Sequence, residues 1–308
     1  MGELQRTPNL FYLSTMKNIE ASDYQADTDC DLTGRSTYED FGLSDKKLEK
    51  RLLKVRRKLG DFQDKMYAHG KYAVLVCLQG MDTAGKDSLI REVFKDFNAR
   101  GVVVHSFKVP TDLERKHDHL WRHYIALPAR GKFGVFNRTH YENVLITRVH
   151  PEFILGENLP DVQNVEDIDE VFWEKRFRQI NDFERTLAET GTLVYKFFLH
   201  ISKEEQRQRL LRRLRLPRKN WKFSPGDLDE REYWTDYQRC YQDAIRRTTK
   251  DHAPWFIIPS DCKEGARLIV ASILLELLEQ FDDIREPELD PEIKKHIEEY
   301  RNELKKQH

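Results

Sequence analysis

The residues best suited to chemistry lie in the stretch LQGMDTAGKDSL, residues 78–89. Gly80, four further residues, Gly85 and Lys86 reproduce most of the phosphate-loop pattern. In that pattern backbone N–H groups cradle phosphates, the lysine reaches terminal oxygens, and a following Ser or Thr hydroxyl meets Mg²⁺. The last position departs: Asp87 stands where the hydroxyl belongs, and Ser88 comes one residue late. A carboxylate there adds negative charge beside the phosphates and does not replace the hydroxyl. Asp82, inside the loop, is the alternative metal ligand, because Mg²⁺ takes carboxylates together with phosphate oxygens and water. Asp87 then either caps the next helix or orients Lys86. A structural glycine turn is the bland alternative, but the context opposes it. YAVLVCLQ (72–79) precedes the loop as a strand, and Leu89, Ile90, Val93, Phe94 and Phe97 follow at helical spacing. Strand, glycine turn and helix together aim N–H groups and a helix N-terminus at an anion.

Further candidates lie beyond the loop. GKFGVFNRTHYENV (131–144) ends a strand in a polar cluster, where the ligand crevice of a parallel sheet opens. There Arg138 can fork onto a phosphate and Glu142 can accept from a hydroxyl or base amino group, or the cluster is a polar turn. RQRLLRRLRLPRKNWK (207–222) holds Arg207, Arg209, Arg212, Arg213, Arg215, Arg218, Lys219 and Lys222, with no acid. Such runs are often solvated faces. Following a strand in a phosphate-loop protein, this one reads as a lid that closes arginines over a transferring phosphoryl group. FWEKRFRQINDFERTL (172–187) adds Lys175, Arg176 and Arg178 on a helix whose Phe172, Phe177, Ile180, Phe183 and Leu187 face the core. His119 and His123 have the i, i+4 spacing of a metal pair but lack the glutamate of a zinc-protease motif, so they read as core or surface histidines.

Five short runs rich in Val, Ile and Phe position these groups: 72–79, 102–107, 133–137, 192–199 and 255–259. Helical patterns separate them at about 86–98, 113–126, 169–190, 203–216 and 229–250, and VLITRVH (144–150) is a further strand or a helix turn. Two-sided apolar strands between helices predict an α/β fold with a parallel sheet covered on both faces. Before the first strand, Leu48, Leu52, Val55, Leu59, Phe62 and Met66 predict a long amphipathic helix, capped by Ser44 and ended by Gly70. Residues 1–43 read as an arm lying on the domain or partly disordered, 44–285 as one kinase-sized domain, 265–281 as its closing helix and 286–308 as a charged surface helix.

Composition excludes other classes. Lys and Arg total 52 against 53 Asp and Glu, so the chain is no general polyanion binder, and any anion site comes from local clustering. The basic residues gather near the lid rather than along a stripe interleaved with aromatics, which argues against nucleic acid. Cys30, Cys77, Cys240 and Cys262 form no CxxC pair, which points to a reducing compartment. No run reaches the ~20 apolar residues of a membrane helix, and NLFYLSTM lacks the parts of a signal peptide. The expectation is a cytoplasmic protein with no membrane partner.

Three blocks, LQGMDTAGKDSLIREVF, SFKVPTDLERKHDHLWRHYIALPARGKFGVFNRTHYENVLITRVHP and WKFSPGDLDEREYWTDYQRCYQDAIRRTT, resemble the family-2 polyphosphate kinases over roughly residues 40–280. The resemblance implies a thymidylate-kinase-like P-loop kinase fold: three-layer α/β/α with a parallel sheet and a helical lid at about 207–232. It implies transfer of phosphoryl groups between inorganic polyphosphate and nucleotides, AMP to ADP and ADP to ATP, with Mg²⁺ or Mn²⁺. Carried over, Asp82 binds the metal and acts with Lys86, Arg138 and Arg178 in catalysis. Gly80, Met81, Thr83, Ala84, Gly85, Asp87, Ser88, Asn137 and Glu142 contact nucleotide or phosphate, and Lys108, Arg176, Arg212 and Arg215 contact the polyphosphate. Much of the family has Asp at 137 and Asn at 142. The Asn137 and Glu142 pair resembles the subgroup that accepts both AMP and ADP, and a neutral amide at 137 is a weak Mg²⁺ ligand. Family members assemble as dimers or tetramers. The rivals are an ATP-dependent nucleoside monophosphate kinase, which shares loop and lid, and a non-catalytic nucleotide switch, which has no need of so many cations.

Overall fold

The five apolar runs form a wholly parallel sheet in the order β2-β3-β1-β4-β5. The computed structural model describes residues 18–307. The strands are β1 (Ala73–Gln79), β2 (Val102–Ser106), β3 (Phe133–Asn137), β4 (Thr192–His200) and β5 (Trp255–Pro259). The helices that matter are α1 (Asp45–His69), α2 (Lys86–Val93), α3 (Glu170–Glu189), α4 (Lys203–Arg215), α5 (Gly226–Glu232), α6 (Trp234–Thr248), α7 (Lys263–Leu278) and α8 (Pro291–Lys305).

β1 is central and buried along its whole length. Its residues divide by the period of two. Leu75 and Cys77 pack with Phe183 and Leu187 of α3, while Val74, Val76 and Leu78 join the larger cluster that holds Leu48 and Leu59 of α1 and Ile269 of α7. The result is a three-layer α/β/α domain. The chain leaves β1 for the β2 edge, returns beside β1 as β3, and only then crosses to β4, so the strand order reverses at the carboxyl end of β1. Ligands of open α/β sheets bind at that reversal, and residues 80–85 lie there.

The structure departs from the sequence reading in places. Ser44 stands at the start of α1, but only its carbonyl bonds into the helix; Gly70 ends α1 with φ 70°. α2 stops at Val93, because Phe94 and Phe97 turn inward to stack edge-on with each other and with Phe133. The pattern at 113–126 gives two single turns, Asp112–Arg115 and Trp121–Tyr124, not one helix; the first buries no residue, so nothing drives a continuous helix. The 229–250 pattern bends at Tyr233 into α5 and α6, and 146–149 is one helical turn. β2 is an edge strand with Val103 39% and Val104 45% exposed, not a two-sided buried one. Of the arm at 1–43, the first 17 residues lie outside the described ones; the rest packs on the domain, burying Tyr24, Cys30 and Leu32, and its Ala26 N–H donates to Trp255 O at the β5 edge.

A buried ion pair ties the layers behind the site. Lys196 Nζ of β4 donates to Glu184 of α3 at 2.6 Å, to Tyr141 Oη at 2.9 Å and to Thr248 O of α6 at 2.7 Å. Glu184 also accepts from Tyr141 Oη at 2.8 Å and meets His140 Nε2 at 3.0 Å. Burial opposes the charge on Glu184, but Lys196 and His140 outweigh it and hold the carboxyl below its ordinary value.

Leaving one buried charge without its partner is strongly destabilising. Glu184→Gln should therefore lower the unfolding free energy by about 3–5 kcal/mol in urea titrations. The double change Lys196→Met with Glu184→Leu should not restore it, because His140 and Tyr141 lose their acceptor. A fully restored midpoint would refute this account.

Candidate active site

The loop after β1 needs its glycines for different reasons. A Cβ on Gly80 (φ 152°) would sit 2.8 Å from Leu199 O, so only glycine lets the chain pass the end of β4. Gly85 (φ 113°) starts α2 without a side-chain cap. Between them Thr83 takes φ 65°, unusual for a β-branched residue. Lys86 folds back and donates to Gly80 O at 2.6 Å. Burial and the Arg138 cation lower its pKa to about 8.

The polar turn after β3 is part of this site. Arg138 (φ 58°) donates to Asp82 Oδ1 at 2.7 Å, and Glu142 lies 3.9 Å from its other nitrogen. Burial works against the Arg138 charge, yet Glu142 and Asp82 raise its pKa above the ordinary arginine value. Asn137 Nδ2 donates to Asp87 Oδ1 at 2.8 Å and to Ser106 Oγ at 3.3 Å. Asp87 thus accepts from Asn137 within the first turn of α2, where Gly85 holds the N-cap position, and its charge acts on Lys86. Ser88 Oγ donates to Gly85 O at 2.9 Å, so the late hydroxyl serves the helix start.

These groups open onto a cleft of about 700 Å³. Its floor is the loop from Asp82 to Ser88; its walls are Lys108, Asn137 and Arg138 on one side and Arg209, Arg212, Arg213 and Lys219 of the lid on the other. Ten lining residues are Lys or Arg (86, 91, 108, 138, 209, 212, 213, 219, 263, 267) and three are Asp or Glu (82, 87, 264). Arg91, Arg138, Arg209, Arg213 and Arg267 pair with Glu92, Asp82, Glu205, Asp227 and Glu264, and cations still outnumber the acids that line the cleft, a surplus that suits an anionic ligand. A narrower annex beside it is lined by Gly80, Met81, Asp82, Arg138 and Glu142, and by Asp227, Glu230, Tyr237 and Tyr241 of the lid side.

Not every expected residue arrives. Arg176 is buried, paired with Glu157 and stacked on Phe172 at 5.0 Å; Arg178 is exposed on α3, and Arg215 is exposed at the end of α4. None of the three lines the cleft. Within the cluster 175–178 Arg176 faces inward, while Lys175 and Arg178, three residues apart, share the exposed face. His123 packs against His140 and Phe136, and burial holds both His119 and His123 neutral, lowering the His119 pKa to about 2. Among the described residues no three His, Cys, Asp or Glu side chains converge to hold a metal unaided. Arg91, Lys263 and Arg267 were not foreseen. Lys263 and Arg267 begin α7, directly after β5, and the carboxyl end of that strand was the signal that pointed to them. Burial and the nearby Arg209 and Arg212 lower the Lys263 pKa to about 8.

Comparison with known proteins supplies the context. Residues 42–286 match the family model described as Polyphosphate kinase 2. The chain is 45% identical over 249 residues to the ADP-polyphosphate phosphotransferase of Rhodopseudomonas palustris, covering 81% of this chain and 85% of that one. It is 47% identical over 225 residues to the AMP/ADP-polyphosphate phosphotransferase of Meiothermus ruber, covering 73% and 79%. The crystal structure of polyphosphate kinase 2 from Arthrobacter aurescens superposes with a TM-score of 0.80 at 35% identity over 90% of this chain and 95% of that chain.

Two measurements test the site. Lys86→Ala should lower turnover by about a hundredfold or more while the circular dichroism spectrum stays that of the parent; retained turnover would move the site elsewhere. Lys86 and Lys263 carry charge below about pH 8 and lose it above. The value of kcat/KM for a polyanionic substrate should therefore fall as pH rises through 8, and a flat profile to pH 9.5 would contradict the assignment.

Proposed function

The chain belongs to the polyphosphate kinase 2 family, and from that premise we propose that it moves phosphoryl groups between inorganic polyphosphate and nucleotides, AMP to ADP and ADP to ATP. The observation that carries the reading is the cleft around the phosphate loop, where cations outnumber carboxylates even with Arg209 held on backbone carbonyls. An ordinary nucleoside monophosphate kinase binds two nucleotides and needs cations only around their few phosphates. A cleft lined by cations of the loop, of the lid and of the start of α7 suits a long phosphate polymer instead.

Phosphoryl transfer asks the protein for position and charge rather than covalent help. Lys86 and Arg138 would draw charge from the transferring group, and Arg212 would close on it from the lid. The annex, with Glu142 and two tyrosines, would take the acceptor's nucleoside end, where a carboxylate can accept from an amino or hydroxyl group. The acids of that annex oppose a bare polyanion and so separate acceptor from donor.

Mg²⁺ fits the donor set. Asp82 offers a carboxylate at the loop, and the buried Thr83 Oγ1 and Asn137 Oδ1 accept no hydrogen bond. These residues together with phosphate oxygens and water would complete the shell. The ion would neutralise charge on the bridging oxygens, and Mn²⁺ suits the same oxygen donors. No helix among the described residues is long and apolar enough to cross a membrane. Four buried, unpaired cysteines support a reducing cytoplasm. The uncovered β2 edge, with Val103 and Val104, and the exposed apolar residues of α8 are surfaces that a homo-oligomer would cover.

Purified protein incubated with Mg²⁺, polyphosphate and AMP, and no ATP, should form ADP and then ATP. Absence of both sinks the reading. Raising salt from about 50 to 200 mM should raise the KM for polyphosphate several-fold and leave that for AMP less affected. Glu142→Asn should reduce the use of AMP relative to ADP by about tenfold, read as the ratio of kcat/KM values; an unchanged ratio would remove Glu142 from acceptor choice.

A further inference from the structure

Arg209 is basic, lies in the cleft, and yet has nothing to offer a phosphate. Its guanidinium is 6% exposed, and all five of its N–H donors are matched. Nε donates to Glu205 at 2.7 Å. One terminal nitrogen donates to Thr83 O at 2.9 Å and Ala84 O at 2.8 Å, and the other to Ser260 O at 2.5 Å and Asp261 O at 3.1 Å. Arg209 therefore clamps the phosphate loop, at the residue with φ 65°, to the turn that follows β5. A strained backbone conformation persists only where its surroundings hold it.

The turn is held in its own right, from outside the cleft. Asp261 accepts from Thr37 Oγ1 at 2.7 Å and from Ser202 N at 2.8 Å, and its own N–H donates to Thr37 O at 2.8 Å. Thr37 belongs to the N-terminal arm, which lies outside the family-matched residues 42–286. Two residues on, Glu39 O presses on the first turn of α7, where a Cβ on Gly265 would come within 2.0 Å of it. That turn carries Lys263 and Arg267 of the cleft wall.

We propose that residues 36–39 of the arm are a positioning element for phosphoryl transfer, with Thr37 acting through Asp261 and Arg209 on the backbone at Thr83 and Ala84. The inference rests on the loop at 80–88 being the phosphate site of the proposed reaction. Loss of the Thr37 hydroxyl leaves Asp261 Oδ2 without its partner and loosens the turn, and the loop then samples geometries in which the phosphoryl group is not in line. Misplacement of that kind costs turnover rather than polyanion binding, since the cleft cations remain.

Thr37→Val tests it. The full-length variant should show kcat for AMP phosphorylation by polyphosphate about fivefold or more below the parent, with the KM for polyphosphate within about twofold. Amide exchange at residues 82–85 should quicken while β1 stays protected. Thr37→Ser, which keeps the hydroxyl, should restore both. A parental kcat and parental exchange in Thr37→Val overturn the proposal, as does a loss of activity that merely follows the fraction unfolded. If Thr37→Val yields no folded protein, Thr37→Ala makes the same comparison; failure of both to fold makes the arm a folding element and overturns the proposal as well. Parent protein without phosphotransfer sinks the functional reading instead, which keeps the two failures apart.

Discussion

The pair Lys196–Glu184 is the contact on which the site depends, although neither residue reaches the cleft. Five segments meet there: β4 through Lys196, α3 through Glu184, the turn after β3 through His140 and Tyr141, α6 through Thr248, and β5 through Trp255, whose Nε1 donates to Thr248 Oγ1 at 2.9 Å. Buried ion pairs are seldom a net source of stability, because desolvation cancels much of the attraction. Their value here is geometric. Arg138 precedes His140 by two residues and adopts φ 58°, so the turn must be fixed from behind if its guanidinium is to face the loop. Thr139 adds a second tie, accepting from Gln79 Nε2 at 3.1 Å across the end of β1.

In front of that frame the electrostatic problem reverses. A cleft with a surplus of cations and no ligand must keep them from collapsing onto the nearest carboxylates. Elsewhere the chain pairs its arginines locally, as in Arg185 with Asp182 and Arg301 with Glu298. In the cleft backbone carbonyls add to the pairing: Lys86 donates to Gly80 O, and Arg209, paired with Glu205, also donates to Thr83 O and Ala84 O. A carbonyl holds a cation in place without neutralising it. Burial and mutual repulsion then lower the pKa of Lys86 and Lys263, two groups whose charge a polyanion would restore.

Most of the architecture was legible in the residues. All five strands were placed within a residue or two, because parallel strands buried on both faces read as unbroken apolar runs. The loop, Arg138 and the basic lid were legible for the same reason: polar residues stand at the carboxyl ends of such runs. What failed was reading charge as accessible charge. Trp173, Arg176, Phe177, Ile180, Phe183, Glu184 and Leu187 are the buried residues of α3 and repeat at three and four. Arg176 and Glu184 thus occupy stripe positions, and the period alone places them inside. Arg209 lies on the inner face of α4, with Gln206 and Leu210 as the other buried residues of that helix. Tertiary acceptors such as Glu157 and Asp261 have no sequence signal, since they come from distant segments.

The missing Ser or Thr of the phosphate loop follows from the same arrangement. At position 87 a carboxylate accepts from Asn137, so the end of β3 is bonded to the first turn of α2. Ser88, the nearest hydroxyl, is spent on Gly85 O. In the proposed reaction Asp82 would be the carboxylate ligand of the metal, and in this structure it faces Arg138 at 2.7 Å. One carboxylate cannot serve a guanidinium and a divalent cation equally well, and Glu142, 3.9 Å from the other Arg138 nitrogen, resolves the conflict. With Glu142 as a second anchor, Arg138 would keep a partner if Asp82 turned to a cation, and its half-exposed fork could then face phosphate oxygens. Asn137 completes the logic. A neutral amide there can donate to Asp87, which an aspartate could not do without placing two carboxylates 2.8 Å apart.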